Sequence, residues 1–117
     1  MIKTQEFQIY VPQGTPSTVA AFKKLIESHY HLFEDSVLSN FNDTRYTFQG
    51  DSLTVTEFEC EDGLNGSFTF EVDVQYYEGC KDKDDVFSHE DTVEFSYEKA
   101  TRLIKFSLDE TIWQVDN

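Results

Sequence analysis

The most regular pattern in the chain is FTFEVDVQY at residues 68–76, in which apolar and polar side chains alternate without interruption. A period of two places every second side chain on the same face of a β-strand. The apolar face consists of Phe68, Phe70, Val72, Val74 and Tyr76. The other face carries Glu71 and Asp73, so this strand presents a core on one side and carboxylates on the other.

Shorter alternations with the same period lie on both sides of this stretch. They occupy residues 7–11, 46–48, 53–55, 93–97 and 104–108. Residues 49–52 read QGDS and residues 98–101 read EKAT, and both segments are predicted to turn between neighbouring strands. Residues 78–91 contain few apolar side chains and are predicted to form a polar loop.

Helical periodicity is confined to residues 16–40 and their immediate neighbours. Apolar side chains recur every three or four residues from Val19 to Phe41, which predicts an amphipathic helix of about six turns. Thr15 is the expected N-cap, and Pro16 in the first helical position costs no hydrogen bond. The order is strand, helix, then a meander of strands. It predicts one α+β domain over residues 1–117, with one long N-terminal helix packed on a mainly antiparallel sheet of about five or six strands as a two-layer sandwich.

The pairing around residue 64 follows from the requirement that core side chains face core side chains. A β-bulge near Thr56 and Glu57 is needed to return the next apolar residues to the core face. A three-residue loop at 64–66, closed by Gly66 with a positive φ, then fixes the register. The pairs expected from it are Phe58–Val72, Cys60–Phe70, Glu57–Asp73 and Glu59–Glu71. The last two oppose acid to acid, which destabilises a sheet.

The acidic residues are concentrated in one part of the chain. The sequence has 23 Asp and Glu against 9 Lys and Arg, a net charge of −14. Residues 57–98 hold fourteen acids and two bases, so −12 of this charge falls within 42 residues. Direct binding to nucleic acid is not expected, because phosphate contacts need an excess of Lys and Arg. A concentrated negative charge instead attracts cations and basic proteins.

No catalytic residue, metal site or cofactor is expected. Residues 82–87 begin like a calcium loop, but Val86 and Phe87 stand where a ligand and a glycine are required. Cys60 and Cys80 form no metal-binding motif and are expected to be reduced thiols. The chain shows no apolar run long enough to cross a membrane and no secretory signal. We therefore expect a cytoplasmic protein that does not contact membranes.

Two hypotheses for the function remain. The first is an acidic binding or inhibitor protein that occludes a basic partner such as a nuclease toxin or a DNA-binding protein, as immunity proteins and DNA mimics do. Its candidate contact residues are Glu57, Glu59, Glu61, Asp62, Glu71, Asp73, Tyr77, Asp82, Asp84 and Asp85. The alternative is a non-catalytic accessory domain that acts through a small-molecule groove or through homodimerisation by an edge strand.

Overall fold

The computed structural model describes residues 2–41, 45–60, 64–78 and 83–111. In chain order its elements are β1 (Ile2–Tyr10), α1 (Val19–Ser28), a 3-10 helix (Tyr30–Phe33), α2 (Glu34–Leu38), β2 (Tyr46–Cys60), β3 (Asn65–Glu78), β4 (Lys83–Glu98) and β5 (Leu103–Thr111). The strands form one five-stranded sheet in the order β1-β5-β4-β3-β2. Every neighbouring pair is antiparallel, which confirms the predicted antiparallel α+β architecture.

The helical segments cover one face of the sheet, and the core lies between the two layers. Phe33 is fully buried at the centre of this layer. Its ring stacks on Phe106 of β5 at 5.6 Å between centroids, and it lies 4.8 Å from Phe70 of β3. The alternation of β3 is confirmed, since Phe68, Phe70, Val72 and Val74 are all buried.

The prediction of one long helix over 16–40 is wrong, because the helix is broken at Ser28 and His29. The carbonyl of Leu25 would accept the helical hydrogen bond from His29 N–H. It instead accepts from Ser28 Oγ at 2.7 Å and from His29 Nδ1 at 2.8 Å. The His29 N–H turns to the carbonyl of Ile26 at 3.0 Å, and a 3-10 turn follows. Side chains that compete for backbone groups in this way end helices.

The start of the helix and its buried stripe also differ from the prediction. Thr18, not Thr15, is the N-cap, and its Oγ accepts from Ala21 N–H at 3.2 Å. Thr15 Oγ donates to the Pro12 carbonyl and belongs to the preceding turn. Two residues of the predicted stripe are exposed: Val19, the first residue of α1, at 51%, and Tyr30, the first residue of the 3-10 helix, at 40%.

Residues 49–52 do not turn back, because β2 is one strand that runs through an irregularity. The ladder to β3 is regular up to Gln49–Asp73 and resumes at Thr54–Glu71. Within the gap, the Ser52 hydroxyl accepts from Asp73 N–H at 2.8 Å and replaces a backbone partner. The irregularity at 50–53 lets Phe48 before it and Val55 after it both face the core. In the sequence, two apolar alternations separated by a polar segment look like two strands joined by a turn.

The predicted bulge is confirmed between Val55 and Glu57. It leaves Val55 N–H facing the free edge of β2, where Glu27 Oε2 of α1 accepts from it at 2.8 Å. Lys23 Nζ of the same helix donates to the Thr56 carbonyl at 3.5 Å. Two side chains of α1 therefore satisfy backbone groups at the edge strand, a common way to protect a sheet edge.

The predicted register of the β2–β3 hairpin is wrong. The observed pairs place Phe58 opposite Phe68, Glu57 opposite Thr69 and Glu59 opposite Ser67. Asn65 and Gly66 already belong to β3, so no three-residue loop exists at 64–66. This register also faces core to core, and it avoids opposing the acids of β2 to those of β3.

Gly66 does not have the predicted positive φ; among the described residues this conformation occurs at Gly14 and Arg102. Gly66 is required for a different reason, namely the close approach of neighbouring strands. A Cβ at this position would collide with the Glu59 carbonyl oxygen and would lie 2.9 Å from the Phe95 ring.

The predicted polar loop at 78–91 is also wrong, because β4 begins at Lys83 and pairs with β3 along its length. Its first half lacks a continuous apolar face. On the core-side phase, Val93 and Phe95 are buried, whereas Asp91 and Phe87 are exposed. A strand with a carboxylate in its core phase does not show the period of two on which the prediction depended.

We predict that Gly66→Ala lowers the free energy of unfolding by about 1–3 kcal/mol, since the added methyl group overpacks the contact between the strands. Urea denaturation measures the change. Ser88→Ala on the exposed part of β4 serves as the control and is expected to change stability by less than about 0.5 kcal/mol. Equal stability of Gly66→Ala and the wild type would contradict this account of Gly66.

Candidate functional site

The face of the sheet opposite the helices carries an acidic surface. β2, β3 and β4 together contain twelve acidic residues and one basic residue, Lys83. Apart from Glu98, which forms an ion pair with Lys105, six of the acids project from the open face in the described part of the chain. We refer to these six as the acidic face: Glu57, Glu59, Glu71, Asp73, Glu90 and Glu94. All are exposed except Asp73, which is half-buried.

Of the ten predicted contact residues, the structure brings four together on the acidic face: Glu57, Glu59, Glu71 and Asp73. Asp85 lies opposite Tyr76, in the phase of the core side of the sheet, and is half-buried. Tyr77 and Asp84 pair with each other in the β3–β4 ladder. Glu61, Asp62 and Asp82 lie outside the described residues.

Sequence reasoning missed Glu90, because it placed residues 78–91 in a loop. Glu94 lay on the predicted strand at 93–97 but was not counted among the contact residues. These residues follow the even-numbered phase of β4, together with Thr92 and Ser96, all of which are exposed. That polar phase was readable in the sequence. The interruption of the apolar phase at Asp91 concealed it.

Glu71 and Glu90 lie directly opposite each other on β3 and β4. The neighbouring pair on the same face, Thr69 and Thr92, has its two hydroxyl oxygens 2.8 Å apart, and Thr92 N–H is bonded to the Asp91 carboxylate rather than to β3. This marks the even positions of β4 as non-hydrogen-bonded pairs, in which side chains come closest. The acid-to-acid pairing predicted between β2 and β3 therefore occurs instead between β3 and β4, at Glu71 and Glu90.

One ion pair lies beside the acidic face, at the end of β4. Lys105 Nζ of β5 is 2.8 Å from Glu98 Oε2, and Thr101 Oγ1 donates to the other carboxylate oxygen at 3.0 Å. The hydrogen bond from Lys105 is the main cause that lowers the pKa of Glu98, and the bond from Thr101 adds to it. The four acids of the acidic face that lie on β2 and β3 have no basic neighbour on their own strands, because these two strands contain no Lys or Arg.

The sheet also forks between its two last strands. β4 and β5 pair from Glu98–Leu103 to Phe95–Phe106. Beyond Phe95, β4 continues along β3 while β5 continues along β1. An open cleft of roughly 1000 Å³ lies between them, and its rim includes Glu6, Asp91, Glu94 and Asp109. We call it the β4–β5 fork.

Three further observations describe the rest of the molecule. Within the described ranges, no group of three or more His, Cys, Asp or Glu side chains is arranged to hold a metal ion. Cys60 is a half-buried free thiol. No helix among these residues is both long enough and apolar enough to cross a membrane.

We predict that Glu71 and Glu90 repel each other measurably. In a double-mutant cycle with Glu71→Thr and Glu90→Thr, each single substitution is expected to raise the free energy of unfolding, with a coupling of about 0.2–1 kcal/mol that shrinks as salt screens the charges. Urea denaturation at low and high NaCl measures it. The control cycle uses Glu59 and Glu94, which are separated by Ser67 of the intervening strand. Equal coupling in the two cycles would argue against direct repulsion.

We predict that the Glu98 carboxylate titrates below the ordinary pKa of a glutamate, because its hydrogen bonds favour the charged form. Its contribution to stability is therefore present above the ordinary pKa of a glutamate and is lost as the pH falls through the lowered value. Side-chain NMR titration measures the midpoint. Lys105→Met should move it upward, and an unchanged midpoint would show that Lys105 is not the cause.

Comparisons with known proteins were made for both the sequence and the fold. No protein-family model matches the chain, no curated protein matches its sequence, and no solved structure matches its fold.

Proposed function

We propose that this protein is a non-enzymatic inhibitor that places its acidic face against a basic surface of a partner protein. The observation that carries the proposal is the direct opposition of Glu71 and Glu90 on an open sheet face whose strands β2 and β3 have no basic residue. Opposed acids cost stability, and a Lys or Thr at either position would remove the cost. A basic partner would neutralise both carboxylates at once.

Outside the acidic face, the same sheet places a basic side chain beside an acidic one. Lys105 and Glu98 form a conventional ion pair on the adjacent strands β5 and β4. The uncompensated acids are thus a local property of β2, β3 and β4 rather than of the whole sheet. This supports a binding surface over an acidity that only serves solubility.

The mechanism would be occupancy. Carboxylates on a twisted sheet would stand where nucleic-acid phosphates stand, and would meet the Arg and Lys side chains of a nuclease toxin or a DNA-binding protein. The net charge of −14 would steer the approach and make association fast at low salt. The half-buried free thiol of Cys60 is consistent with a cytoplasmic site of action, where thiols stay reduced.

The test uses a panel of purified basic nucleases and DNA-binding proteins, with a basic protein that binds no nucleic acid as the reference. We expect the protein to inhibit at least one panel member and to compete with duplex DNA for it, and not to bind the reference protein. Binding should weaken steeply with salt. If no panel member is inhibited, the alternatives of a small-molecule groove or homodimerisation take precedence.

Charge reversal distinguishes the acidic face from general acidity. Glu71→Lys with Glu90→Lys should weaken inhibition by about tenfold or more, mainly through association. The matched control is Glu34→Lys with Asp35→Lys, which changes the charge equally at exposed positions of α2. Glu27 is unsuitable as a control, because its carboxylate accepts from Val55 N–H. Equal effects of the two double variants would contradict the proposal.

A further inference from the structure

Beyond the fork, β4 has an edge without a strand partner among the described residues. The hydrogen-bond pattern defines which of its backbone groups lie on this edge. Tyr97 N–H donates to the Leu64 carbonyl, on the β3 side, at 2.6 Å. Odd-numbered residues of β4 therefore face β3, and the even-numbered residues Glu90 and Thr92 direct their N–H and C=O groups into the fork.

The opposite edge, on β5, is already covered in part. Asp109 would pair with Thr92 if the ladder of Phe95–Phe106 continued. Its carbonyl instead accepts from Ser36 Oγ of α2 at 2.6 Å. On β4, Thr92 N–H is capped by the carboxylate of the exposed Asp91 at 2.8 Å. The β4 edge is thus the open one, and an incoming backbone carbonyl could replace its carboxylate cap.

The charges around this edge select what can pair with it. Glu90, Asp91 and Glu94 are exposed on β4, and Glu6 is exposed across the fork on β1. A second copy of this chain would bring acids against acids, which opposes pairing. A charged residue in the core phase of an edge strand, such as Asp91, is a recognised barrier to self-association. A strand that carries Lys or Arg meets no such barrier.

We propose that the β4 edge at Ser88–Thr92 accepts an extended basic segment of the partner as an added strand. This inference rests on the proposed function and names how the partner is held. Directly opposed residues place their side chains on the same face of a sheet. Basic residues opposite Glu90 and Thr92 would therefore lie on the acidic face. The alternating residues would lie on the core side, where Phe87 is 43% exposed. Such strand addition combines backbone hydrogen bonds with selection of alternate side chains.

The test uses a nine-residue peptide of alternating Lys and Val and two N-methylated isomers of it. In an antiparallel added strand, the arrangement of every neighbouring pair in this sheet, lysines opposite Glu90 use their own backbone N–H groups to bind the edge, whereas the valine N–H groups point away from it. Methylation of the lysine amides should therefore weaken binding at least tenfold. Methylation of the valine amides, with identical charge and composition, should leave it nearly unchanged. Fluorescence anisotropy measures affinity, and hydrogen exchange measures protection of Glu90 and Thr92 amides.

The outcomes separate this inference from the proposed function. Equal binding of both methylated isomers, without protection of the β4 amides, would overturn strand addition and leave charge attraction by the acidic face intact. No binding of any peptide at low salt would count against both. Glu90→Lys should weaken binding of the unmethylated peptide, whereas Glu34→Lys should not, and the reverse result would place the peptide elsewhere on the molecule.

Discussion

The ring of Phe33 holds together two parts of a sheet that separate from each other. Beyond the Phe95–Phe106 pair, β4 and β5 no longer pair with each other: β4 pairs only with β3, and β5 only with β1. Phe33 touches Phe70 and Phe68 on β3 and stacks on Phe106 on β5, so it spans the fork from the helical side. Full burial of a phenylalanine contributes about 1.5–3 kcal/mol, and each aromatic pair adds to this. The fork can stay open because Phe33, packed on the helical side, connects β3 to β5 without direct pairing of β4 and β5 there.

The acidic face is possible because the apolar contacts that stabilise the fold lie on the other side of the sheet. Apolar contacts of this fold lie on the helical side, where Phe33, Ile26 and Val37 meet the sheet. The other face contributes little to cohesion, and it can therefore carry a pair such as Glu71 and Glu90 that stability alone would not select. A protein needs only enough stability to stay folded, so a surface that costs some stability can be retained. The stability that the buried core supplies on the helical side is what permits acids to stand opposite each other on the other face.

The sequence predicts those parts of the fold that depend on uninterrupted patterns. The alternation at 68–76 identifies β3 and its two faces, and the change of phase before Phe58 locates the bulge in β2. The break of the helix was not predictable from periodicity. It depends on Ser28 and His29 taking the Leu25 carbonyl, and neither side chain changes the apolar pattern. The β2–β3 register failed because more than one pairing keeps core residues opposite core residues, and the prediction placed the loop at 64–66, whereas Gly66 pairs with Cys60. Residues 49–52 were read as a turn because the irregularity there, closed by Ser52, interrupts the alternation.

The acidic face was predictable only in part, and one residue explains why. Asp91 occupies the core phase of β4 opposite Phe70. A continuous sheet would bury its carboxylate beside β5, which is costly without a partner. At the fork the carboxylate remains exposed and caps Thr92 N–H. The same residue therefore hides β4 from a search for alternation, accounts for an opening between β4 and β5, and leaves a polar edge beside the acidic face. The position at which the pattern fails is thus the position at which β4, within the described residues, leaves one edge without a strand partner.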